Sequence, residues 1–114
     1  MQDLIWNANG CELPVDVEDA AFMQRYEAAA AAISANHTAA GENAAAILQY
    51  CQNYRTFFDT LFGDGTAEKL FANVPDNRRA YDSVFEMLLK AMFEQRIAAK
   101  LRLVEAVKRY VPTD

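Results

Sequence analysis

The chain is short of the residues that usually announce a chemistry. Its 114 residues include one histidine and two cysteines. His37 stands in the stretch SANHTAAGEN beside Ser34 and Thr38, with no nucleophile and orienting carboxylate next to it. It therefore reads as a solvated loop residue rather than a catalytic base or a ligand. Cys11 and Cys51 have no CxxC spacing, and with one histidine they make a poor zinc set. Reduced thiols are the expectation. No apolar run approaches the roughly 18 residues of a membrane helix. A basic region followed by an apolar stretch is missing at the N-terminus, so neither leader nor anchor is expected, and the reading is a cytoplasmic protein.

What is abundant is alanine. Hydrophobic residues make up 53% of the chain, but 21 of them are Ala, which leaves enough large side chains for one compact core. A single domain over residues 1–114 follows. The formal net charge is −5, which argues against general nucleic-acid binding. Its distribution is uneven: residues 1–76 carry −8 and residues 77–114 carry +3. An acidic body with a basic C-terminal arm points to head-to-tail self-association or an acidic partner. A helix whose cations suit its C-terminal dipole has the same pattern.

Patterning divides the chain into a hairpin (1–17), a helical body (18–96) and a basic amphipathic C-terminal segment (97–114). Asn9-Gly10 between short alternating runs predicts a two-residue hairpin turn, with Pro14 on an edge and Trp6 packed on helices. A first helix is expected from about Glu18 to Ala35, capped by Asp16, with Phe22, Tyr26, Ala29, Ala30 and Ile33 at helical spacing. The run Ala28 to Ala32 suits close approach of a neighbouring backbone. A second helix is expected from about Asn43 to Phe62, its apolar face made of Ile47, Leu48, Cys51, Tyr54, Phe58, Leu61 and Phe62. Gly63 would end it as a left-handed cap, and Thr66 would cap a short third helix through Phe71. Phe57 and Phe58 are adjacent, about 100° apart on a helix, so the buried face must be wide or one ring must meet a second surface.

The central segment FFDTLFGDGTAEKLF holds the one motif-like cluster, Gly63-Asp64-Gly65-Thr66. A Walker loop needs four residues between its glycines and a following Lys, and a dinucleotide fingerprint follows a strand. A calcium loop would need ligands where Leu61 and Phe62 stand. A tight turn remains. As a DNA-binding helix-turn-helix, the segment TAEKLFA would offer one Lys and one Glu to a groove, a poor reader of bases. Asp59 and Asp64 could pair as carboxylates, but Asp59 reads better as a polar position on a helix flank. No cofactor, metal set or nucleophile emerges, and a non-enzyme is expected.

The last helix is expected from Asp76 or Asn77 to Val111. At 35 residues it would be roughly 52 Å long, against a diameter of about 35 Å for a compact chain of this size. Its first half carries the stripe Tyr81, Val84, Phe85, Leu88, Leu89 and Met92, which lapses around Glu94-Gln95-Arg96. Ile97, Leu101, Val104 and Val111 resume it beside a second line of Leu103, Val107 and Tyr110, with Arg96, Lys100, Arg102, Lys108 and Arg109 at the flanks. Residues 97–111 are expected to project or bend away and pack on an acidic, apolar surface of another chain. The alternative is a break near Gln95 that folds the segment back as a fifth helix. The fold class is thus mainly α: four helices, a small N-terminal β-hairpin and a long C-terminal helix.

The hairpin, the aromatic helix ending FFDTLFGDGTAEKLF and the following AYDSVFEMLL resemble a family of small prophage and phage proteins. The resemblance runs from about Leu4 to Leu89. Its motif positions are Phe57, Phe58, Asp59, Phe62, Gly63, Asp64, Gly65, Thr66 and Phe71. The chain departs from it at Ala72, where a second glycine is usual, and in its basic C-terminal extension. The resemblance implies a gene of the tail-morphogenesis region in phages of Gram-positive bacteria, and a tail assembly chaperone-like, non-enzymatic role in the cytoplasm of the bacterial host cell. The implied partners are a second copy, the tape-measure protein or the tail-tube protein. The candidate partner-binding residues are Arg96, Ile97, Lys100, Leu101, Leu103, Val104, Val107, Tyr110 and Val111. Membrane and nucleic acid are not expected as partners. A small DNA-binding regulatory protein of a prophage is the alternative, and an enzyme subunit a third.

Overall fold

Asn9 and Gly10 adopt φ of 50° and 81°, the pair of positive values that a type I′ turn requires. They join β1 (Ile5–Ala8) to β2 (Cys11–Pro14), which pair antiparallel with Ala8 opposite Cys11 and Ile5 opposite Pro14. Four helices follow: α1 (Ala20–His37), α2 (Ala44–Phe62), α3 (Thr66–Leu70) and α4 (Arg78–Tyr110). This computed structural model describes residues 4–37 and 41–110. The expected architecture is present: mainly α, four helices, a small N-terminal hairpin and a long C-terminal helix.

Helix α1 differs from expectation at both ends, while α2 and α4 start where expected. Asp19, not Asp16, caps α1, its carboxylate accepting from the Phe22 N–H at 3.0 Å. Asp16 instead accepts from the Glu18 N–H and closes a turn before the helix. The helix then runs on through Ser34 to His37, because no breaker precedes Gly41, so the expected loop begins later. Thr38 lies outside the described residues, as does the side chain of His37. Asn43 caps α2 through the Ala46 N–H, and Asn77 caps α4 through the Ala80 N–H.

The core lies where α2 meets everything else. Phe57 meets Tyr26 of α1 and Phe85 of α4, with ring centroids 6.0 and 5.3 Å apart. Phe58 faces the other way, toward Trp6 of the hairpin and Phe71 after α3. Both rings are buried, so the wide face of the adjacent pair is satisfied by four separate elements. Phe71 stacks on Tyr81 at 4.0 Å, joining α3 to the first turns of α4. Two expectations fail at the edge of this core. Leu48 is 54% exposed, and Leu89 also faces solvent, because each sits just past the arc covered by neighbours. Of the run Ala28 to Ala32, only Ala29 is buried and Ala30 half-buried. Close packing on α1 thus involves one strip of the run rather than its whole length.

Candidate functional site: a turn clamp and a projecting helix

The motif around the central turn is held by one side chain. Asp59 lies one turn before the end of α2. Its backbone carbonyl accepts from the Gly63 N–H at 2.8 Å, and its carboxylate crosses the turn to accept from the Ala67 N–H at 2.8 Å. Asp59 therefore caps the start of α3 from the preceding helix. The expectation that Thr66 is the cap is corrected. Gly65 occupies that position with left-handed backbone and no side-chain bond, and Thr66 is the first helical residue. Gly63 does not take the left-handed form expected of it. Its φ of 113° and ψ of 156° lie in a region open essentially to glycine alone. Arg25 of α1 donates to the Leu61 carbonyl at 3.3 Å, satisfying one acceptor left over at the end of α2.

The remaining motif positions are structural as well. Phe57, Phe58 and Phe71 are buried, and Phe62 is half-buried against Trp6 and Phe22. Asp64 is exposed and Asp59 engaged with backbone, so the two do not act as a carboxylate pair. On α3, Ala67 and Leu70 face the core and only Glu68 and Lys69 turn outward. Asn9 donates to the Leu70 carbonyl at 2.8 Å, fastening the hairpin turn to the end of this helix.

A second polar cluster ties α2 to α4 and was not visible in the sequence. Tyr50 and Tyr54 both donate to one carboxylate oxygen of Asp82, each at 2.6 Å. Burial, then the Asp82 hydrogen bond, pushes both phenols above their ordinary pKa. Burial likewise raises Tyr81 and the Cys51 thiol. Such groups stay protonated at neutral pH and act as donors and packing, not as nucleophiles. Arg78 lies over the Tyr50 ring at 5.0 Å and donates to the Gly41 carbonyl. Both cysteines are free thiols.

The candidate partner-binding residues behave differently. Helix α4 is continuous for 33 residues, so the break near Gln95 and a fifth helix do not occur. Its buried face is Tyr81, Val84, Leu88, Met92 and Gln95. Gln95 is thus no lapse in the stripe. It is buried and donates to the Val15 carbonyl at 2.6 Å, and its side-chain oxygen accepts from the Val17 N–H at 3.0 Å. One amide satisfies both polar groups of the chain leaving the hairpin. Past Gln95 the same face continues as Ala99, Arg102 and Ala106, by 100° per residue. Arg102 pairs with Glu18 there.

The apolar residues of the distal half therefore do not resume the core stripe. Ile97, Leu101, Leu103, Val104, Val107 and Tyr110 are all exposed, Leu103 at 65% and Tyr110 at 86%. Arg96 and Lys100 are exposed among them, while Val111 lies outside the described residues. Sequence reading missed two members of this surface. Phe93, 59% exposed, and Leu89 extend it back along the solvent side of the half of α4 that packs on the body. The signal was present as a 4-3 alternation, Leu89, Phe93, Arg96, Lys100, Leu103, Val107, Tyr110, hidden because two of its members are charged. A hollow of about 350 Å³ opens at its base, lined by Val17, Glu18, Phe93, Arg96, Ile97 and Lys100. The molecule measures 67 × 29 × 23 Å along its principal axes, which the projecting helix explains.

Among the described residues no helix is long and apolar enough to cross a membrane. No curated protein and no solved structure matches the chain. A family profile does, over residues 9–113, which takes in the turn clamp and the projecting helix together. The chain belongs to the family described as a Family of unknown function (DUF6673).

Proposed function

We propose that this protein is a non-enzymatic interaction protein that binds other chains through the distal half of α4, and that it serves as a tail assembly chaperone-like component of a phage or prophage. One observation carries the binding part. Six large apolar side chains, Ile97, Leu101, Leu103, Val104, Val107 and Tyr110, stand in solvent on a helix that has left its own core. Exposed apolar surface of this extent, with cations set among its residues, marks a place where another chain packs. The tail-module part rests on the resemblance of the FFDTLFGDGTAEKLF segment and its setting between hairpin and long helix. The candidates for the covering surface are a second copy and a tail component such as the tape-measure or tube protein.

The alternative of a DNA-reading regulator has less to stand on, since α3 is five residues long and turns two of them inward. The test is co-expression with the products of the flanking genes. A stable complex with a tube or tape-measure protein, lost in Val104→Asp and Val107→Asp, is the expected result. A complex that survives both substitutions would remove α4 as the binding element. A neighbourhood of repressor or integrase genes, with no tail genes, would remove the tail assignment.

A further inference from the structure

The 4-3 alternation on the solvent side of α4 specifies what kind of chain can cover it. Leu89, Phe93, Arg96, Lys100, Leu103, Val107 and Tyr110 are all exposed and all fall on one seam. The seam spans 22 residues, about 33 Å of helix. A spacing that alternates three and four is the pattern by which one helix packs along another. The ends of this seam are apolar, but its two central positions, Arg96 and Lys100, are cationic. That centre decides the partner.

A second copy paired along this same seam does not satisfy it. In a parallel self-pair Arg96 meets Arg96 and Lys100 meets Lys100. In an antiparallel self-pair that sets Leu89 against Val107 and Phe93 against Leu103, Arg96 meets Lys100 twice. Either way four cations gather at the middle of the contact, where water is most excluded and like charges repel most. The hollow beside the seam is lined by the same Arg96 and Lys100, together with Phe93 and Ile97. Glu18, which lines the same hollow, already pairs with Arg102.

Resting on the reading of α4 as the binding element, we infer that its occupant is an amphipathic helix of a different protein, apolar at the ends of its own seam and carrying Glu or Asp at the two central positions. Carboxylates there neutralise Arg96 and Lys100, while apolar residues on either side cover Leu89, Phe93, Leu103 and Val107. The charge pattern also opposes self-pairing along this seam, so one feature selects the partner and disfavours the copy there.

The test uses the full chain and two synthetic three-heptad helical peptides with leucine at the outer seam positions. One carries Glu at the two central positions and the other Lys. Fluorescence anisotropy should show the Glu peptide binding at least about tenfold tighter, from a few ion pairs each of modest strength. The advantage should shrink as salt rises. In the chain with Arg96→Glu and Lys100→Glu together, the preference should reverse, and Phe93→Asp or Val107→Asp should abolish binding of both peptides. All four positions are exposed, and far-UV circular dichroism checks that the fold is kept. Equal binding of the two peptides would overturn the charge inference and leave α4 as the binding element. Failure of both peptides, with a concentration-dependent dimer that Leu103→Asp abolishes, would overturn it in favour of a second copy. Failure of both with a monomeric chain that captures no flanking gene product would remove the underlying reading as well.

Discussion

Asp59 holds both sides of the central turn with one residue, its carbonyl on Gly63 and its carboxylate on Ala67. Asp59→Ala should cost about 1 kcal/mol, as for loss of a helix cap, whereas Thr66→Ala should change stability by no more than about 0.5 kcal/mol, as at an ordinary surface site. Urea unfolding of the two variants measures the difference, and the reverse order would restore Thr66 as the cap. Gly63 gives a cleaner case of backbone strain. A Cβ added there meets no atom within 4 Å, so only its φ and ψ oppose a side chain. Gly63→Val should destabilise by about 1–3 kcal/mol through that conformation alone, and an unchanged melting temperature would contradict it. The need for glycine was legible, because a glycine between two apolar helices is a stop signal whatever surrounds it. The role of Asp59 was not. Capping rules look three residues ahead, and this bond reaches eight residues forward across a folded corner.

Between elements, the ties that matter are polar groups on otherwise apolar seams. Gln95 joins α4 to the chain between β2 and α1 through Val15 and Val17. Gln95→Ala should cost about 1–3 kcal/mol, since it strands backbone groups in a buried place. Faster amide exchange at Val17 would distinguish this local loosening from general weakening. The tyrosine cluster makes a separate, pH-dependent tie. Burial and the Asp82 hydrogen bond raise Tyr50 and Tyr54, so the folded chain keeps their protons after the unfolded chain has lost its own near pH 10. Their contribution is therefore whole below pH 10 and declines as pH rises beyond it. Urea unfolding followed at neutral and at high pH should show an alkaline loss of stability in the parent chain, and Tyr54→Phe should flatten that loss. The hairpin, the four helices and most core positions were legible because their apolar spacing and turn residues agree with the tertiary result. Gln95 and Asp82 were not, since a polar residue reads as a gap or a surface until its partner on another element is known. The distal stripe was misplaced for a geometric reason. Apolar residues three or four apart were joined to the nearest stripe, although the 100° step per residue puts Ile97 and Met92 on different sides of the helix.

At the scale of the whole molecule, body and projection are separable. The buried residues of α4 end at Gln95, and the ion pair beyond it, Arg102 with Glu18, is exposed on both sides. Exposed pairs contribute about 0–1 kcal/mol, so a chain ended after Ala99 should remain folded, with a melting temperature within a few degrees of the full chain. Small-angle scattering should show its radius of gyration falling from 17.4 Å toward the roughly 13–14 Å of a compact chain this size. Unfolding on truncation would mean that the projection supports the body. The continuous α4 also acts as a shaft, keyed into the body at Gln95 and carrying its seam at a fixed angle of rotation. One alanine inserted after Ala99 turns everything beyond it by about 100°, which should disconnect Leu103, Val107 and Tyr110 from Leu89 and Phe93 and abolish partner binding without touching a contact residue. Seven inserted alanines return the seam to within about 20° of its setting and displace its tip by about 10 Å. Binding that recovers with seven and not with one would show that angular phase, rather than reach, is what the helix delivers to its partner.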